Sequence, residues 1–66
     1  MIVNLRKIRR NRDYSQTELA LLCDTTQNTI SSIERCEYGC SVRLALKLSR
    51  ALHCDVNEIF QLDDSD

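Results

Sequence analysis

The fold of this chain is decided by residues 15–35, which read SQTELALLCDTTQNTISSIER. The stretch opens with a capping box, in which the Ser15 hydroxyl accepts a hydrogen bond from the amide of Glu18 and the Glu18 carboxylate accepts one from the amide of Ser15. Apolar residues at helical spacing follow the box. The pattern predicts a helix over residues 16–22.

A second helix is predicted over residues 27–35, because Thr26 is a good N-cap and Ile30 and Ile33 form an apolar stripe. The small side chain of Ala20 in the preceding helix allows the two helices to cross closely, where a larger residue would hold them apart. Two short helices joined by a short turn are typical of a helix-turn-helix.

The flanking sequence extends this unit to an all-α domain of five helices. A first helix is predicted over residues 4–12, Ser41 caps a fourth helix, and Asp55 opens a second capping box before a short fifth helix. The 66 residues contain one Gly and no Pro, which are too few turn-forming residues for an all-β fold. We expect one domain over residues 1–62 and a frayed acidic tail over 63–66.

Charge is distributed unevenly along the chain, although the net charge is only −1. Residues 1–12 carry five basic residues and no acidic one, whereas residues 51–66 carry five acidic residues and no basic one. Only the basic end is suited to face a polyanion. The longest apolar run, residues 19–23, is far shorter than the ~20 residues that span a bilayer, and no signal peptide is recognisable. We therefore expect an intracellular protein without a membrane partner.

The second helix of residues 15–35 begins with neutral hydrogen-bonding side chains, among them Gln27 and Asn28. A carboxamide at this position can pair bidentately with adenine in the major groove of DNA. Polar residues opposite an apolar stripe are also typical of a face that only contacts solvent. Taken alone, neither residue decides between the two interpretations.

Taken together, these residues resemble the Cro/repressor-type (xenobiotic-response-element) helix-turn-helix family. The similarity runs through SQTELA at 15–20, TTQNTIS at 25–31, IER at 33–35, LALK at 44–47 and DVNEIF at 55–60. It implies a compact lambda-repressor-like fold with the helix-turn-helix at helices 2 and 3. It also implies a sequence-specific transcriptional regulator, a repressor, that binds the major groove of a twofold-symmetric double-stranded DNA operator as a homodimer. Such a protein would be cytoplasmic and encoded by a prokaryote or a phage.

The resemblance further implies roles for individual residues. Base edges would be contacted by residues on the second helix of the motif, namely Gln27, Asn28 and Ser32. Phosphates would be contacted by residues around it, namely Gln16, Thr26, Arg35, Arg43 and Arg6. Gln16 would also brace the start of the recognition helix. Arg9 and Glu34 would form a structural ion pair.

Self-association is expected through apolar residues of the acidic C-terminal region and one residue of helix 4. The negative charge of that region would keep it away from DNA. The residues expected there are Ile59, Phe60, Leu62 and Leu46.

The chain departs from the family pattern at four positions. Asp24 replaces a turn glycine, Cys36 replaces the glycine that ends the recognition helix, and Cys40 replaces a frequent proline. Asp tolerates the left-handed conformation better than most residues. Glu37 stands where a basic phosphate contact is common, and its charge would weaken DNA binding. This departure supports an alternative function, a protein-interaction module that keeps the fold without binding DNA.

Four cysteines and one histidine are the remaining reactive residues. Cys23 and Cys54 occupy apolar positions and are expected in the core, and His53 is expected at the surface. Cys36 and Cys40 flank a predicted loop over residues 36–40, so a thiol- or redox-responsive regulator is a further alternative. The spacing lacks a C-x2-C pair, and no catalytic motif is present, so we expect no metal, no cofactor, no enzyme activity and no small-molecule substrate.

Overall fold

A computed structural model describes residues 1–37 and 39–66. Within those residues, five helices and one short antiparallel strand pair occur in the order β1 Ile2–Val3, α1 Leu5–Asn11, α2 Gln16–Leu22, α3 Gln27–Glu34, α4 Val42–Leu52, α5 Val56–Ile59 and β2 Phe60–Gln61. The five predicted helices are confirmed, and α2 has the predicted bounds. Tyr38, in the middle of the predicted loop, lies outside the described residues.

The strand pair joins the two ends of the chain and was not expected from the sequence. Ile2 lies opposite Gln61 and Val3 opposite Phe60. Strands of two residues are too short to show the alternation by which a strand is recognised. The N-terminal ammonium group of Met1 lies 2.9 Å from a carboxylate oxygen of Asp66. The acidic tail therefore lies beside the residues that precede α1.

Side-chain caps fix the starts of four helices. The capping box at Ser15 is present, with the Glu18 amide 3.0 Å from the Ser15 hydroxyl oxygen and the Ser15 amide 2.8 Å from Glu18 Oε1. A second capping box begins at Asp55. Thr26 and Ser41 cap α3 and α4 through hydrogen bonds that their hydroxyl oxygens accept. Each cap satisfies amide groups that have no partner within the helix.

The ends of α1 to α4 are closed by left-handed residues, none of which is glycine. The φ angles are 61° at Asp13, 55° at Asp24, 59° at Cys36 and 53° at His53. At the end of α3, for example, the amide of Cys36 donates to the carbonyl of Ile33, as a Schellman motif requires. Asp24, which replaces the turn glycine of the family pattern, adopts the left-handed conformation. A left-handed non-glycine residue costs about 1–2 kcal/mol, so these ends are sites of stored strain.

The core is aliphatic and lies between the helices. It consists of Leu5, Leu19, Ala20, Cys23, Ile30, Ile33, Leu48, Leu52 and Ile59. Cys23 is buried as expected, and Cys54 packs against this core from a partly buried position. One expectation is wrong: Ile59 is fully buried within the protomer. Its side chain cannot contribute to self-association, because it fills the space between α5 and the other helices.

Candidate nucleic-acid interface

The first turn of α3 presents its carboxamides to solvent. Gln27 and Asn28 are both exposed. The opposite face of the helix is held in the core by Ile30 and Ile33, which are fully buried. The N-cap also orders this turn, since Thr26 Oγ1 lies 3.2 Å from the amide that donates to it. The start of α3 is therefore a rigid platform with two outward-facing hydrogen-bonding side chains.

Arg9 of α1 and Glu34 at the end of α3 form a close ion pair. Arg9 Nε lies 2.7 Å from Glu34 Oε2, and Arg9 Nη2 lies 3.3 Å from Glu34 Oε1. Arg9 Nη1 also donates to the carbonyl of Tyr14 at 2.8 Å, so the guanidinium joins α1, α3 and the segment before α2. Bidentate pairing of this kind is directional and stronger than a neutral hydrogen bond.

The Glu34 carboxylate connects this ion pair to the exposed face of α3. Gln16 Nε2 donates to Glu34 Oε1 at 3.0 Å, and Gln27 Nε2 donates to Gln16 Oε1 at 3.3 Å. A continuous chain of hydrogen bonds thus runs from Arg9 through Glu34 and Gln16 to Gln27. It fixes the orientation of the Gln16 amide, whose Nε2 faces Glu34 and whose Oε1 faces Gln27.

The pKa of Glu34 is lowered by this network. Burial of the carboxyl group acts to raise its pKa, but hydrogen bonds from Arg9, Gln16 and Arg6 and the charge of Arg9 outweigh burial. Arg6 makes the weakest of these contacts, with its Nε 3.4 Å from Glu34 Oε1. Glu34 is therefore ionised at neutral pH, and its negative charge is matched by the arginines of α1.

Arg35, expected at the DNA backbone, is held by Glu37. Arg35 Nε lies 2.9 Å from Glu37 Oε1 and Nη2 lies 3.2 Å from Oε2, while Nη1 contacts the hydroxyl of Ser31. The pKa of Glu37 is lowered, first by the hydrogen bond from Arg35 and also by one from Ser32. The expected base-contact residue Ser32 is half-buried and turned toward Glu37.

Arg43 lies in the first turn of α4. It lines a groove together with Asp24 and Thr25, which form the turn between α2 and α3. In the same groove Lys47 Nζ lies 3.6 Å from Asp24 Oδ2. Arg43 therefore lies near the turn that precedes α3, whereas Arg6 lies near the end of α3.

The exposed residues expected to mediate self-association line different grooves. Phe60 is partly buried and lines a groove with Met1, Val3 and Cys36. Leu46 lines another groove, which is formed by residues of α4 alone. Leu62 is exposed beyond β2. Phe60 and Leu46 therefore lie in separate grooves.

The cysteines at positions 36 and 40 differ in their surroundings. Cys36 is exposed and Cys40 is partly buried. Burial raises the pKa of the Cys40 thiol, which lowers the fraction of reactive thiolate at neutral pH. In residues 1–37 and 39–66 no group of three or more His, Cys, Asp or Glu side chains is arranged to hold a metal ion. Over the same residues, no helix is both long and apolar enough to cross a membrane.

Several contacts of the interface could not be found from the sequence pattern. The Arg35–Glu37 pair is the clearest, because the two residues are separated by one position at a helix end where the backbone changes direction. Arg6 and Arg9 both contact Glu34, and one feature of the sequence could have indicated this. The two arginines are three residues apart, which places them on one face of α1.

Comparison with known proteins gives relatives along the whole chain. The sequence pattern of the helix-turn-helix family matches residues 5–59. An uncharacterized HTH-type transcriptional regulator of Archaeoglobus fulgidus is 30% identical over 66 residues, which is 100% of this chain and 94% of that protein. The HTH-type transcriptional regulator YgzD of Bacillus subtilis is 30% identical over 60 residues, or 91% of each protein.

Two solved structures share the fold. The P22 c2 repressor, in complex with a synthetic operator, is similar with a TM-score of 0.84 and 27% identity over 91% of both chains. The restriction-modification controller protein C.AhdI of Aeromonas hydrophila is similar with a TM-score of 0.80 and 32% identity over 86% of both chains. With its fold, its capped helix pair and its sequence in agreement, the chain belongs to the helix-turn-helix family of transcriptional regulators, of the Cro/repressor type.

Proposed function

We propose that this protein is a sequence-specific repressor that reads the major groove of double-stranded DNA with the start of α3. The observation that carries the proposal is the pair of exposed carboxamides on a helix whose other face is fixed in the core. Gln27 is already oriented by its hydrogen bond to Gln16, so little side-chain freedom is lost when it meets a base edge. The family is one of transcriptional regulators and not of enzymes.

Base recognition falls to Gln27 and Asn28, whose amide groups can each donate and accept at one adenine edge. Ser32 lies farther along α3 and is turned toward Glu37, so it makes the weaker contribution. Phosphate contacts come from Gln16 and Thr26 at the start of the motif, and from Arg6, Arg35 and Arg43 around it. Arg9 and Glu34 hold the scaffold and do not touch DNA.

A homodimer supplies the remaining discrimination between DNA sequences. One recognition helix reads only a few base pairs, and each good contact contributes about 1–3 kcal/mol. Two copies on half-sites about 34 Å apart double the number of contacts and require an operator of twofold symmetry. Bound at a promoter, a domain of this size represses by excluding polymerase.

Binding-site selection from a random duplex library tests the proposal. The selected sites should be twofold-symmetric, and fluorescence anisotropy should show affinity that falls steeply as salt is raised. Gln27→Ala and Asn28→Ala should each weaken binding to the selected site by about 1–3 kcal/mol and relax base preference. The matched control is Gln61→Ala, which removes an exposed carboxamide from β2 and should leave binding unchanged.

The alternative function, a protein-interaction module, is favoured by one observation, the neutralisation of Arg35 by Glu37. The same titration decides between the two functions. If the protein shows no measurable affinity for any duplex at low salt, the DNA-binding proposal is wrong and the interaction module takes its place.

A further inference from the structure

The outward face of α4 combines exposed apolar residues with positive charge. Val42 and Leu46, one turn apart, are 76% and 56% exposed. Arg43, Lys47 and Arg50 flank them, and the sequence of α4 contains no acidic residue. Single exposed leucines are ordinary, but two successive turns of exposed aliphatic side chains between three cations form a surface suited to a partner.

The chemistry of this face fits a protein segment better than DNA. Aliphatic side chains gain nothing beside a phosphate backbone, whereas they are buried favourably against another apolar side chain. Leu22 of α2 extends the apolar surface, since it lines an adjoining groove with Lys47 and Arg50. The partner expected here carries an apolar side chain with several carboxylates close to it in sequence.

A segment with this chemistry is present in the same chain. Leu62 is 81% exposed, and it is followed by Asp63, Asp64 and Asp66. The segment is presented in a defined position, because β2 pairs with β1 and the Met1 ammonium contacts Asp63 and Asp66. Leu62 and the α4 face both remain exposed within one protomer, so the segment of one copy is available to the α4 face of another.

We propose that in the homodimer the segment Leu62–Asp66 of each protomer docks on the α4 face of the other. Leu62 packs against Val42 and Leu46, and the aspartates lie beside Lys47 and Arg50, which leaves Arg43 for the DNA backbone. The two contacts are related by the twofold axis, so each protomer uses both of its surfaces. A stable interface buries about 1,200–2,000 Å² in total, and two reciprocal contacts bury twice the area of one short segment. The inference rests on the homodimer of the proposed function and specifies its interface.

A charge exchange tests the interface on the whole chain without DNA. The first variant is Lys47→Glu with Arg50→Glu, and the second is Asp64→Lys, because Asp63 and Asp66 also hold the segment to the Met1 ammonium. Each variant alone brings like charges together in both contacts, and we expect its dimer dissociation constant to rise by about tenfold or more. In a 1:1 mixture both contacts of the mixed dimer again join opposite charges. Sedimentation equilibrium should then show the dimer restored to near the wild-type dissociation constant.

A second pair of variants tests the apolar part of the contact. Leu46→Ala and Leu62→Ala should each weaken the dimer, whereas Leu21→Ala should not. Leu21 is as exposed as Leu62, at 81%, and lies outside both surfaces. Circular dichroism checks that every variant keeps its helices.

The outcomes separate this interface from the proposed function. If the wild type is a dimer and the charge variants dimerise equally well, or if mixing them restores nothing, this interface is wrong while the homodimer stands. A mass that grows beyond two protomers with concentration would show an open head-to-tail contact and would also overturn the reciprocal arrangement. A wild type that stays monomeric overturns both the interface and the homodimer.

Discussion

Removal of the Arg9 guanidinium is expected to be the most damaging single change outside the aliphatic core. Its side chain is only 8% exposed, and its partner Glu34 is 0% exposed. Arg9→Ala leaves the buried Glu34 carboxylate with the Gln16 amide and one distant arginine, and it also removes the donor to the Tyr14 carbonyl. Breaking a buried pair by removing one partner costs about 3–5 kcal/mol. A domain of this size has about 3–10 kcal/mol of stability in total, so the loss is a large fraction.

Arg6→Ala is the matched control, because Arg6 contacts the same carboxylate. Its side chain is 56% exposed and its Nε is 3.4 Å from Glu34 Oε1, compared with 2.7 Å for Arg9. Exposed pairs contribute about 0–1 kcal/mol. Urea denaturation followed by circular dichroism measures both free energies of unfolding. If the two variants lost equal stability, burial would not be what makes the Arg9–Glu34 pair important, and the structural role assigned to it would be refuted.

Three further changes test separate features. Cys36→Gly should raise the free energy of unfolding by about 1 kcal/mol, because glycine adopts the left-handed conformation without strain. The control Cys36→Ala should give no such gain, and thermal melts of the two variants measure the difference. Glu37→Gln should strengthen binding to all DNA sequences and steepen the salt dependence, because it removes the negative charge beside Arg35. An unchanged slope in anisotropy titrations would show that the charge of Glu37 does not act on DNA binding. The lowered pKa of Glu34 adds stability that is complete above its ordinary pKa of 4.5 and is lost as the pH falls through the lower folded value. In this pH range the free energy of unfolding of Glu34→Gln should therefore depend less on pH than that of the wild type. If the two proteins gave parallel curves of unfolding free energy against pH, the lowered pKa would not belong to Glu34.

Local signals in the sequence predicted the helices well because each helix start carries its own chemistry. Ser15 with Glu18, Thr26 and Ser41 are side chains whose oxygen atoms satisfy helix amides a few residues away, so neighbouring positions are sufficient to recognise them. The exposed start of α3 was predicted for the same reason, since Ile30 and Ile33 determine which face of the helix is buried.

Features that depend on distant parts of the chain were predicted less well. The strand pair joins residues 2–3 to residues 60–61, and strands so short leave no periodic pattern. Ile59 was expected in the self-association surface because it is one of the apolar residues of the acidic C-terminal region, but whether an apolar residue of a four-residue helix faces inward is decided by the helices around it. The Arg35–Glu37 pair is local but was also missed, because it depends on the left-handed turn at Cys36.

The pattern of ion pairs around α3 explains why pairing of protomers matters for the proposed function. Glu34 and Glu37 neutralise arginines at the end of the recognition helix, so its surface presents mainly neutral hydrogen-bonding groups. In the proposed complex α3 itself would gain little from counterion release, so the steep salt dependence expected of the protein would come from the phosphate contacts around α3. Base contacts then supply a larger share of the binding free energy, but one protomer makes few of them. A second recognition helix, held in register by the partner, is the change that turns a weak contact with DNA into a selective one.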